Sequence, residues 1–202
     1  MKRLDLVVLF ICFLIITGCS NVASTQEKPP TISSITDSKY TETFNELNLG
    51  TLFDYNLYLP HADKRWVRLW VEKYQDGKKE DQPVTELSYG MSVNKVDEGH
   101  LGFGMLSDSS VLLYGPNVNI QPEQIDLNLN EEYITSWGHA IEEGKEINLE
   151  LGKTKLLAAY WQTASNKIPT IDFQNEDDIA NLIKENEFVL LLKIKIDEEM
   201  PD

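Results

Sequence analysis

From Leu49 to Ile196 the chain is a succession of short runs in which apolar and polar residues alternate with a period of two, broken by turn residues. Successive side chains of a strand point to opposite faces, so this period predicts strands with one buried face each. The clearest run is Trp66–Tyr74, which puts Trp66, Arg68, Trp70, Glu72 and Tyr74 on one face and Val67, Leu69 and Val71 on the other. Strands are also expected over Leu49–Leu59, stopped by Pro60, and over Val84–Val93, after a long loop that turns at Asp76-Gly77. His100–Leu106 and Ser110–Tyr114 form a pair turned at Ser107-Asp108-Ser109, with Gly102 and Gly104 marking a bulge or close packing.

Further along, Ile125–Asn130 alternates again and Tyr133–Trp137 reads as strand. Ile147, Leu149 and Leu151 face the core from a short strand that Gly152-Lys153 turns into Lys155–Gln162. The run Leu156 to Trp161 has little alternation, as in a strand covered on both sides. Phe188–Ile196 is the last strand, with Leu192, Ile194 and Ile196 inward and Lys193 and Lys195 outward, where lysines discourage edge pairing. One short helix is expected near the C-terminus. Asn175 caps it, Glu176, Asp177 and Asp178 complement its dipole, and Ile179, Leu182 and Ile183 share a face. Many short strands and one helix predict a mainly β fold, an antiparallel β-sandwich, with a β-barrel as the alternative.

The first residues carry a different signal. Lys2 and Arg3 precede an apolar run from Leu6 to Ile16 that ends in Ile16-Thr17-Gly18-Cys19. As a helix this run spans about 16 Å at ~1.5 Å per residue, too short for a hydrocarbon core of about 30 Å. It has the length of a signal-peptide core. The segment resembles the leader of bacterial lipoproteins, in which an aliphatic residue, two small residues and a cysteine direct acylation of the thiol and cleavage before it. The resemblance implies that residues 1–18 are removed and that Cys19 becomes the lipidated first residue. It places the protein on the extracytoplasmic face of a cell membrane, held by lipid. Residues 19–46, rich in Ser, Thr and Pro, read as a disordered tether, with a short strand over Ile32–Ile35 as the minority reading. Residues 47–198 are then a single β-sandwich domain and 199–202 a tail.

The whole chain has a net charge of -15, from 18 Lys+Arg and 33 Asp+Glu. Without Lys2, Arg3 and Asp5 the balance is 16 against 32, or -16. Such acidity repels phosphate backbones, which argues against a nucleic-acid partner. It also repels anionic lipid surfaces. Solubility alone is a sufficient reason for it. The two cysteines, Cys12 and Cys19, both lie before the domain, so disulfide and thiol chemistry are not expected inside it.

Nothing in the sequence specifies a catalytic group, a metal site or a cofactor. His61, His100 and His139 are far apart, and His61-Ala62-Asp63 supplies at most two of the three or four ligands that zinc needs. Asp126–Glu131 lacks the glycine of a calcium loop. Gly90-Met91-Ser92-Val93-Asn94 lacks the final glycine of a nucleophile elbow, and Gly99–Gly104 has no dinucleotide spacing. The candidate ligand-binding residues are Trp66, Arg68, Trp70 and Tyr74, which on one strand face make either a platform for a sugar or protein, or part of the core. The expectation is a non-catalytic binding module for an envelope protein or a wall polysaccharide. A wall hydrolase using carboxylates is the alternative, and a transporter's solute receptor the third reading.

Overall fold

Pairing of the alternating runs produces two open sheets. The computed structural model describes residues 28–125, 133–165 and 170–200. In chain order its strands are β1 (Thr31–Ser34), β2 (Gly50–Pro60), β3 (Trp66–Gln75), β4 (Lys78–Lys79), β5 (Thr85–Gly90), β6 (Val96–Leu106) and β7 (Ser110–Gly115). There follow β8 (Val118–Asn119), β9 (Glu123–Gln124), β10 (Ile134–His139), β11 (Glu146–Asn148), β12 (Lys155–Thr163) and β13 (Phe188–Asp197). Helix α1 spans Lys39–Glu46 and helix α2 Glu176–Glu185.

The first sheet runs β11-β1-β2-β6-β7-β8, with β9 also on β7; the second runs β10-β12-β13-β3-β4, with β5 also on β3. Every pairing described is antiparallel, and none joins the two sheets. This is the β-sandwich, and the barrel alternative falls. Phe53, Tyr55, Leu57, Leu101, Phe103 and Leu113 of the first sheet pack against Val67, Leu69, Val71, Leu190, Leu192 and Ile194 of the second. Period two thus places the small apolar face of β3 in the inter-sheet core, and turns its tryptophan face away from the other sheet.

The second sheet is covered on its outer face as well. Ala159, Trp161, Val189 and Leu191 meet Leu182 of α2, with Ile179 and Ile183 alongside. The Asn175 side chain accepts from the Asp177 backbone N–H at 2.9 Å, the cap expected from sequence. Burial of Leu182 stabilises this docking by about 2 kcal/mol. A helix and a core on opposite faces explain the weak alternation of β12.

Several expectations need correction. Structure begins well before Leu47, because Thr31–Ser34 and Lys39–Glu46 of the expected tether form β1 and a second helix. Ile32 is fully buried in the core and β1 lies between β11 and β2. The serines and threonines that suggested disorder act instead as partners. Ser34 Oγ donates to the Ile141 carbonyl at 3.2 Å, and Ser38 Oγ accepts from the Thr41 N–H at 3.2 Å as the cap of α1. Strand β5 ends at Gly90, short of Val93, which is fully exposed. Leu151 lies beyond β11 and is partly exposed. Lys193 and Lys195 do not guard an edge, since β13 lies between β12 and β3; they pair with Glu72 and Asp197. Of the two readings of Gly102 and Gly104, close packing holds and the bulge falls, because β2 and β6 stay in register from Gly50↔Leu106 to Pro60↔Val96. The strand expected over Ile125–Asn130 lies largely outside the described residues, as do the leader, Cys19 and Asp126–Glu131. No helix among the described residues is long and apolar enough to cross a membrane.

Candidate functional site

The outer face of the first sheet carries the most developed polar arrangement. It is built on two glycines. A Cβ on Gly102 would lie 2.1 Å from the Phe53 carbonyl oxygen and 2.5 Å from the Tyr114 hydroxyl, and one on Gly104 would lie 3.0 Å from Leu112 Cγ. Bare backbone at these positions makes a trough across β6. Tyr114, paired with Gly102 on one side, leans across it towards Asp54, paired with Gly102 on the other. The phenol donates to Asp54 Oδ1 at 2.8 Å.

Asp54 is completely buried. Its second partner is His100 Nδ1, 2.8 Å from Oδ2 and 3.1 Å from Oδ1. In the tautomer with its proton on Nδ1, the ring donates to the Asp54 carboxylate and Nε2 is the ring nitrogen turned away from that contact. The His100 side chain is 41% exposed, so the buried acid orients an imidazole that solvent and solutes can reach. Burial, and after it the Asp54 charge, pushes the Tyr114 hydroxyl far above the ordinary tyrosine value, which keeps it a neutral donor.

Helix α1 closes one side. Tyr40 and Phe44 stand four residues apart and so share a helix face. The Tyr40 ring lies 4.5 Å from the His100 ring, tilted by 55°, and 6.1 Å from the Tyr114 ring, edge to face at 85°. Between helix and sheet is a cavity of about 570 Å³ lined by Tyr40, Phe44, Glu98, His100, Tyr114 and Asn117 among others. That volume is in the range of small-molecule sites. Among the described residues its lining contains no lysine or arginine.

A second histidine is more deeply held. Tyr55 Oη donates to the Leu157 carbonyl at 2.6 Å and receives His139 Nδ1 at 3.1 Å. Burial holds the His139 imidazole below the ordinary histidine value. A cavity of about 400 Å³ opens beside it, next to Phe173 and Gln174.

The sequence-predicted residues lie elsewhere, on the outer face of the second sheet. Trp70 Nε1 donates to Glu72 Oε1 at 3.2 Å and Tyr74 Oη to Glu72 Oε2 at 2.8 Å. Lys79 and Lys193 each donate to the same carboxylate at 2.7 Å. Burial would raise the Glu72 value, but the bonds from Lys193, Lys79, Trp70 and Tyr74 outweigh it and hold the group at about 2. Arg68 is turned to Glu86 at 2.7 Å, with its guanidinium 4.9 Å from the Trp70 ring centre, and Trp66 is half-buried beside Gly90. Trp70 and Tyr74 are thus brought together around an acid, and the 570 Å³ cavity does not reach any of the four. Sequence reasoning missed Asp54, Tyr114 and Tyr40 and set His100 aside. The available signals were a lone acid in an aromatic strand, Leu-Phe-Asp-Tyr, and the glycines facing it.

Among the described residues, no three His, Cys, Asp or Glu side chains gather as a metal ion needs. Fold and site together define a two-sheet antiparallel β-sandwich with a helix-walled cavity lined by His100 and Tyr114, both held by the buried Asp54. No protein family, curated protein or solved structure matches the chain.

Proposed function

We propose that this is an extracytoplasmic lipoprotein, anchored through Cys19, whose sandwich is a non-catalytic binding module for an envelope protein or wall polymer, with the cavity beside α1 as its ligand site. The observation that carries the reading is Asp54: a carboxylate removed from water is costly unless partnered, and here Asp54 orients its two partners, His100 and Tyr114, at an open cavity. Retention of envelope protein or wall polymer by the immobilised full chain tests it, with Thr43→Trp at the exposed cavity wall as the blocked control. Retention lost in the variant is expected; none by either protein, or equal retention by both, refutes the reading. The anchor is tested separately, since Cys19→Ala abolishes incorporation of labelled fatty acid if the assignment holds.

One observation favours a second reading. A buried acid on Nδ1 is also the arrangement that prepares an imidazole as a general base. Among the described residues no hydroxyl or second carboxylate is hydrogen-bonded to His100, so the nucleophile would be water. Hydrolysis of wall material that disappears in His100→Gln supports this reading, and absence of turnover removes it.

A further inference from the structure

We infer that the cavity beside α1 receives an organic ammonium group, held between aromatic rings and carboxylates. The inference rests on the reading of that cavity as a ligand site. Tyr40 and Tyr114 meet nearly at right angles, 6.1 Å between ring centres, and Phe44 adds a third ring from the next turn of α1. Aromatic faces are electron-rich and attract cations within about 6 Å of the ring centre. Glu98 and His100 stand on the same face of β6, so the Glu98 carboxylate borders the site directly, while Asp54 lies behind His100.

Charge selects between ligand classes. With no lysine or arginine in the lining among the described residues and an overall charge of -15, an anion entering the cavity meets Glu98 and the field of Asp54 without a lysine or arginine of that lining to receive it. A cation meets attraction from each of these groups, and low-dielectric walls focus it. An ammonium suits the site better than a metal ion, because rings replace the dense oxygen shell that a hard cation requires.

Choline and its uncharged isostere 3,3-dimethylbutan-1-ol separate charge from shape. Titrated by NMR onto the full chain, choline is expected to bind at least about tenfold more tightly than the alcohol, a difference of ~1.4 kcal/mol that a partly desolvated cation–π site supplies. Glu98→Gln and Tyr40→Ala, both at solvent-exposed positions, should each weaken choline by about fivefold. Vesicles of phosphatidylcholine added as competitor assign the source: displacement of choline marks a lipid headgroup, and no displacement a soluble or polymer-borne amine. Equal or tighter binding of the alcohol, or choline binding untouched by both substitutions, overturns the inference while leaving a ligand site in place. If choline, the alcohol and the envelope material of the retention assay all fail to bind, the ligand site falls too.

Discussion

Glu72 is the place where a single atom change has a calculable consequence. Glu72→Gln keeps the size of the side chain and removes the charge that Lys79 and Lys193 share, with the Glu72 side chain only 7% exposed. A fall from the ordinary 4.5 to about 2 in the folded state corresponds to about 3 kcal/mol at ~1.4 kcal/mol per unit. Lys79 is half-exposed, so solvent screening trims this to about 2 kcal/mol. The folded value lies below the unfolded one, so the contribution is fully present above about pH 4.5 and is lost as the pH falls through about 2. Urea denaturation of wild type and variant at intervals from pH 7 to pH 2 therefore gives curves about 2 kcal/mol apart at neutral pH, closing together in acid. Parallel curves, with the same gap at pH 2.5 as at pH 7, would show that the stabilisation does not come from the ionised carboxylate.

Three other outcomes follow from the same geometry. Tyr114→Phe deletes the donor to buried Asp54 and is expected to cost about 1–3 kcal/mol in urea denaturation; an unchanged midpoint means that Asp54 does not depend on it. Gly102→Ala drives a methyl into the Phe53 carbonyl and the Tyr114 hydroxyl, and a loss of more than about 3 kcal/mol is expected, read as a lowered thermal midpoint. His139 is held below the ordinary histidine value by burial, so its stabilising effect is present above about pH 6.5 and lost as the pH falls through the lower folded value. In an NMR titration its ring protons should move at lower pH than those of a free histidine, and a midpoint at or above the free value contradicts the buried placement.

The longer strands were legible because each is written in its own few residues. Val67, Leu69 and Val71 specify a buried face whatever lies opposite, and Asn175 with three acids after it specifies a helix start. Helix α1 was not legible, since it is a short, mostly polar run with two threonines that matches coil, and only packing against β2 tells the two apart. The site was hidden for a related reason. Asp54 occupies an ordinary outward position of a strand, and its burial goes with the contacts that His100 and Tyr114 of the neighbouring strands make to it. Its partners are 46 and 60 residues away, so no local spacing records them. The tryptophan face stayed open between platform and core for a different reason: alternation told which residues share a side, but which side meets the other sheet is a property of the assembled sandwich.

The interior position of β1 has a mechanical consequence. Thr31–Ser34 is hydrogen-bonded to β2 on one flank and to β11 on the other, and Pro30 adds a further bond from Leu149. A pull on Thr31 along the strand has two ladders to shear together, where a strand at a sheet margin has one. Detaching β1 from the fold therefore means breaking its bonds to two neighbours at once.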